Sequence, residues 1–152
     1  MRILGLDYGD RRIGIAVSDE SGTIARGVTT ILRKNREADL GALEALVREH
    51  QVERIVIGYP LRLDGSEGIQ CEKINRFIRR LQRHCALPVI RWDETLSTAE
   101  AEELLRHRGT AWRKERKAVD RVAASLILQG YLDALARGDK DVLPEPPQGE
   151  ND

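Results

Sequence analysis

Hydrophobic positions fall into short runs at the start of the chain and into helical stripes further on. Ile3, Leu4 and Leu6 form the first run, which predicts a buried strand over residues 2–8 with Asp7 at its end. Gly9-Asp10 supplies a turn, and Ile13 to Val17 makes a second strand over 12–19. Ser21-Gly22 separates it from a third over 23–32. Connections this short join antiparallel neighbours and are too short for parallel crossovers. Leu40, Leu43, Leu46 and Val47 then recur at helical spacing over 36–50, with Glu37, Asp39, Glu44 and Glu49 outward. Ile55-Val56-Ile57 reads as a short buried strand ending at Gly58, before Tyr59-Pro60 breaks it.

A second helix is expected over 67–84, with Ser66 as its cap. Ile74, Phe77, Ile78, Leu81 and Cys85 form its apolar stripe, and Arg76, Arg79, Arg80 and Arg83 form a basic stripe that reads as solvent-facing. Pro88 opens a strand through Trp92 that stops at Asp93-Glu94. Thr95 or Ser97 would cap the next helix, with Glu100 completing a capping box. That helix runs to about Arg106, and residues 115–136 make a last long one. Trp92 reads as structural. The order β-β-β-α-β-α-β-α-α implies a mixed α/β sheet with helices on both faces, in one domain over 1–138. Residues 139–152, rich in acids and proline, read as a disordered tail.

With 152 residues the chain is long enough for one self-sufficient core. It has no apolar run long enough to span a membrane, and a core strand directly after Met1 leaves no room for a secretory leader. Cys71 and Cys85 match no metal pattern, so reduced thiols in a cytoplasmic protein are expected. The formal net charge is zero, but residues 139–152 carry −4, leaving +4 on residues 1–138. Between Arg106 and Arg121 stand seven Arg or Lys against two acids.

Three acids occupy comparable places. Asp7 closes the first strand, Glu94 closes the last, and Asp120 lies early in the long helix. If the first and last strands are parallel neighbours, Asp7 and Glu94 emerge at one sheet edge, where a crossing helix would present Asp120. Carboxylates packed together repel and raise one another's pKa values, and Mg²⁺ or Mn²⁺ relieves that with the oxygen ligands such ions prefer. Two such ions suit the in-line hydrolysis of a phosphodiester. The plainer roles remain open: Asp7 as a turn former, Asp93 and Glu94 as helix caps, and Asp120 paired with Arg116 or Lys117.

Four sequence blocks resemble the bacterial YqgF family, whose members are described as pre-16S rRNA nucleases and as Holliday-junction-resolvase-like proteins. They are Gly5-Leu6-Asp7-Tyr8-Gly9 with Arg12 to Val17; Val56 to Leu61 with Asp64-Gly65-Ser66-Glu67; Asp93-Glu94 with Leu96-Ser97-Thr98; and Lys117, Asp120, Ala123-Ala124 and Ile127-Leu128-Gln129. The likeness covers about residues 1–137. It implies a ribonuclease-H-like fold with a five-stranded mixed sheet, a metal-dependent nuclease, and Asp7, Glu94 and Asp120 as catalytic metal ligands. Many relatives carry arginine where this chain has Thr95. Related resolvases often draw a fourth acid from the last helix, where this chain has Ala123.

Around these acids, Arg11, Arg12, Ser66, Lys114, Arg116, Lys117 and Arg121 are the candidates for nucleic-acid contact, and Tyr8, Gly9, Gly58, Pro60 and Leu61 the candidate site loops. Phosphate contacts of this kind favour structure over base sequence. The expectation is hydrolysis of structured nucleic acid, first the 5′ end of pre-16S rRNA. The alternatives are branched DNA, and a non-catalytic RNA-binding role in ribosome assembly. Sugar kinases and ATPases share the fold, but a single domain lacks the second lobe that encloses ATP, and no Walker-type loop is present. A monomer or weak homodimer is expected, since no segment announces an interface.

Overall fold

The computed structural model describes residues 1–62, 64–93, 103, 106 and 116–138. Three strands, β1 (Arg2–Tyr8), β2 (Arg12–Ser18) and β3 (Ala25–Leu32), form the expected antiparallel meander. Helix α1 (Arg36–Glu49) leads to β4 (Val52–Tyr59), α2 (Ile69–His84) to β5 (Val89–Asp93), and α3 (Arg116–Ala136) follows. The sheet has five strands in the order β3-β2-β1-β4-β5, with β4 and β5 parallel to β1.

That order corrects one expectation. β1 and β5 are parallel but not neighbours, because β4 lies between them. With β2 already on one edge of β1, the first crossover delivers β4 to the open edge, and β5 then adds to β4.

Alternation along the strands sorts the core into two layers. Leu4, Leu6, Ile13, Ile15, Ile55 and Ile57 pack with Leu43 of α1 and Ile74, Ile78 and Leu81 of α2. Ile3, Ala16 and Val56 point the other way, onto Ala124, Ile127, Leu128 and Tyr131 of α3. Each Ile or Leu so buried contributes about 1.5–3 kcal/mol. Trp92 meets Tyr131 edge-on with ring centroids 5.7 Å apart, the packing role its alternation suggested. Cys71 and Cys85 are free and buried.

Several boundaries differ from expectation for local reasons. β4 starts at Val52, because Val52 pairs with Arg2 while Arg54 donates to the Tyr131 hydroxyl at 2.7 Å. It runs on to Tyr59, which pairs with Asp93 of β5. α2 begins at Ile69 after Gly68, and Ser66 is not its cap. The Ser66 hydroxyl and N–H both donate to Asp64 Oδ1, at 2.6 and 2.9 Å, closing a turn instead. α1 is capped by Asn35, whose side chain accepts from the Ala38 N–H at 2.9 Å. Asp39 of α1 is not outward but buried at 4% exposure, held by Arg33. On α2, Arg76 and Arg83 face solvent, whereas Arg79 and Arg80 are half-buried. The helix expected before Arg106 and the tail 139–152 lie outside the described residues, apart from Glu103 and Arg106, which are helical.

Candidate active site

Asp7 stands on β1 directly across from Gly14 of β2. Alternation turns its side chain to the α3 layer, beyond Ile3 and Gly5. Gly14 is where α3 crosses β2: a Cβ there would overlap the Asp120 carbonyl oxygen. A second close approach follows at Gly5, where a Cβ would stand 2.7 Å from Leu128 Cβ. Glycine inside a strand marks such contacts. With no side chains between them, α3 rests on the sheet and brings Asp120 into electrostatic range of Asp7. The Asp7 carboxyl is raised from 3.8 to about 6, first by burial and then by the Asp120 charge.

Asp120 is paired with a partner far along the chain. Arg12 Nε donates to its Oδ2 at 2.6 Å, joining the β1–β2 hairpin to α3 across 108 residues. Both partners are mostly buried, so the contact is charge-assisted and weakly screened. Among the described residues, Asp7 and Asp120 form a pair, and no cluster of three potential metal ligands occurs. Glu94 lies outside the described residues, directly after Asp93 at the end of β5. Thr95, Lys114 and the Arg116 side chain also lie outside them. Between β1 and β5, the position on β4 level with Asp7 and paired to Trp92 is Gly58. It puts no side chain in the gap between Asp7 and the end of β5.

The hairpin tip beside Asp7 is held from both flanks. Arg33 Nη1 donates to the carbonyls of Gly9 and Asp10 at 3.1 and 3.3 Å, and the guanidinium lies 4.6 Å over the Tyr8 ring. Asp39 accepts from Arg33 Nε at 3.3 Å and from the Lys34 N–H at 3.0 Å. Across the tip, Lys73 reaches Asp10 at 3.2 Å and Gln70 donates to the Tyr8 carbonyl at 3.3 Å. Tyr8 itself is buried against Phe77, with ring centroids 4.5 Å apart, on the face of β1 opposite Asp7. It does not cover the acids. Arg33 and Asp39 escaped the sequence reading because no local pattern marks a cation and an acid six residues apart across a strand-to-helix junction. The strand glycines were a readable sign of where α3 docks.

The other candidate residues sit at varied distances from this pair. Arg11 is exposed on the hairpin tip, and Lys117 is exposed one turn before Asp120. Arg121 crosses β3 at Gly27, where a Cβ would lie 3.1 Å from its Cβ. Pro60 and Leu61 form the turn after β4: the Leu61 N–H donates to the Tyr59 carbonyl, and the Pro60 carbonyl accepts from the Cys71 thiol. Ser66 is engaged with Asp64, whose carboxyl those bonds hold below its usual range. That occupied hydroxyl is poorly placed as a phosphate donor.

The chain as a whole resembles known proteins. The RuvX family, described as Holliday junction resolvase, matches residues 1–134. The chain belongs to this family. A protein of Syntrophus aciditrophicus named "Putative pre-16S rRNA nuclease" is 61% identical over 137 residues, covering 90% of this chain and 91% of that protein. One of the same name from Halothermothrix orenii is 49% identical over 133 residues, covering 88% and 95%. In structure, the chain is similar to Thermus thermophilus RuvC in complex with a Holliday junction substrate (TM-score 0.56, 16% identity, 94% of this chain and 99% of that one). It is similar also to the fowlpox virus resolvase with Holliday junction DNA (TM-score 0.57, 13% identity, 89% and 99%). These likenesses establish the ribonuclease-H-like resolvase fold. As a RuvX member the chain is a hydrolytic nuclease, of a family and fold that generally use divalent metal ions. No helix among the described residues is long and apolar enough to cross a membrane.

Proposed function

We propose that this RuvX protein hydrolyses phosphodiester bonds in structured RNA, the 5′ region of pre-16S rRNA first of all. In this reading Asp7, Glu94 and Asp120 hold a pair of Mg²⁺ or Mn²⁺ ions. The observation that carries it is that α3 brings Asp120 up to a buried Asp7, whose carboxyl is raised to about 6 first by burial and then by the Asp120 charge. Asp7, with no cation beside it among the described residues, and the oxygens of Asp120, one of them already on Arg12, are a donor set of the oxygen type that fits a hard divalent ion. When bound, such ions supply Lewis-acid stabilisation of the phosphoryl oxygens and make water a stronger nucleophile.

The chain's own residues perform the rest. Asp7 must shed its proton to act as a ligand, so it is available above about pH 6. Gly14 lets the Asp120 backbone rest on β2 and sets the spacing between the two acids. Arg12 keeps Asp120 oriented, and its remaining guanidinium N–H groups are near enough to the acids to meet a phosphate there. Arg33, Lys73 and Gln70 keep the hairpin tip from shifting, which preserves the positions of Asp7 and Arg12. Lys117, Arg121 and Arg11 contribute phosphate contacts that position a strand without reading its bases.

The rRNA substrate is favoured by the names of relatives at 61% and 49% identity. Branched DNA is the second reading, favoured by the family's description as Holliday junction resolvase. The protein is expected to act in the cytoplasm, as a monomer or weak homodimer with its nuclease domain over residues 1–138. The test presents a precursor rRNA 5′ leader, a four-way DNA junction and linear duplexes with Mg²⁺, Mn²⁺ or EDTA, comparing wild type with D7N, E94Q and D120N. Metal-dependent cleavage of the leader, lost in each variant while RNA binding persists, is the expected result. Cleavage of the junction alone favours the second reading. Variants that cleave like wild type refute the site, and wild type that binds RNA but cuts nothing leaves an assembly factor.

A further inference from the structure

We propose that a cavity at the outer edge of β3 is a phosphate-binding groove that guides the substrate strand away from Asp7, an inference that rests on the nuclease reading above. The cavity has a volume of about 330 Å³ and opens between the first turns of α1 and α3. Thr30, Leu32, Lys34, Ala38, Asp39 and Lys117 are among its lining residues. Within the described sheet, β3 is an edge strand that pairs only with β2.

The lining is positive on balance. Lys34 and Lys117 are both exposed there. The acid among them, Asp39, is already compensated, with Oδ2 accepting from Arg33 Nε and Oδ1 from the Lys34 N–H. It therefore does little to cancel the lysines. The chemistry that fits is a run of phosphodiesters, each able to take an ammonium as a point charge.

Position ties the groove to the site. Asp7, Gly14 and Thr30 lie on one row of the ladder across β1, β2 and β3. Two strand spacings put the groove's near wall about 10 Å from Asp7, a gap that a nucleic-acid strand crosses within a few nucleotides. The Thr30 hydroxyl donates to the Lys117 carbonyl at 2.7 Å, pinning the first described turn of α3 to the edge strand. That turn carries Lys117 three residues before Asp120, so the groove and the acid pair share one rigid mount. Lys34 has a role here that its sequence context did not suggest.

Binding is best measured in the uncleaving D7N protein, titrating structured RNA at several salt concentrations. K34Q and K117Q are each expected to weaken binding several-fold and to flatten the salt dependence by roughly one unit of log–log slope. The double variant should lose about tenfold or more, and K34R/K117R should restore the slope. R48Q removes a cation at the far end of α1 and should leave the slope unchanged. Thermal melting confirms that each variant folds. A K34Q/K117Q double variant that binds with the D7N protein's affinity and slope overturns the groove while leaving cleavage by wild type as evidence for the nuclease reading. A wild type that neither binds nor cuts nucleic acid overturns both.

Discussion

Asp7 is held in the folded chain with its carboxyl at about 6, against 3.8 for an ordinary aspartate, and that difference has a thermodynamic sign. The folded state binds this proton more tightly than the unfolded state does. Ionised Asp7 therefore costs stability above about pH 6, and the cost disappears below about pH 4. Roughly two pKa units correspond to about 3 kcal/mol. D7N should thus melt higher than wild type at pH 8 without metal, by roughly 5–10 °C at the scale of a 150-residue protein. Melting curves across pH 4–8 should show the gap closing towards the acid end, and a gap that is absent or independent of pH would refute the assignment. The two acids were legible in the sequence from a strand end and a helix start, with the resemblance joining them. The Arg12–Asp120 bond was not, because only tertiary packing joins residues 108 apart. Asp39 was misread because helical periodicity grouped it with the exposed glutamates, whereas Arg33 and the Lys34 N–H draw its carboxylate inward.

Helix α3 depends on glycines in the strands beneath it, and their clearances differ. At Gly14 an added methyl overlaps the helix backbone, which cannot move without moving Asp120. At Gly27 it would meet the Arg121 side chain and carbonyl at 3.1 Å, a tight contact that a small shift relieves. G14A should destabilise the fold by about 3 kcal/mol and depress cleavage in the fraction that remains folded. G27A should cost about 1 kcal/mol or less. Urea unfolding orders the two, and equal effects would show that α3 is not seated as described. Strand and helix identities were readable here because each run had a clear period. Strand order was not, since neighbouring positions in a parallel sheet follow from crossover connections and not from the pattern within a strand. Ser66 misled for a similar reason: Asp64, two residues earlier, competes for the hydroxyl that would otherwise cap α2.

For the whole molecule, neutrality conceals a division of charge, with +4 over residues 1–138 and −4 over the remainder. Zero net charge therefore does not argue against a polyanionic substrate. The affinity of D7N for structured RNA should fall steeply between about 50 and 200 mM salt, with little preference among sequences of the same shape. Fluorescence anisotropy measures this directly, and binding indifferent to salt would contradict phosphate contacts as its basis.

The bond between Arg12 and Asp120 also bears on the order of synthesis. The hairpin with Asp7 and Arg12 leaves the ribosome early, but its partner acid follows Asp7 by 113 residues (120 − 7). Until α3 emerges, the hairpin has neither its covering helix nor its second carboxylate, and a domain folds as a unit once its parts have been made. A nascent chain of this protein, lying against the RNA of the ribosome that makes it, carries no assembled pair of acids until α3 is free.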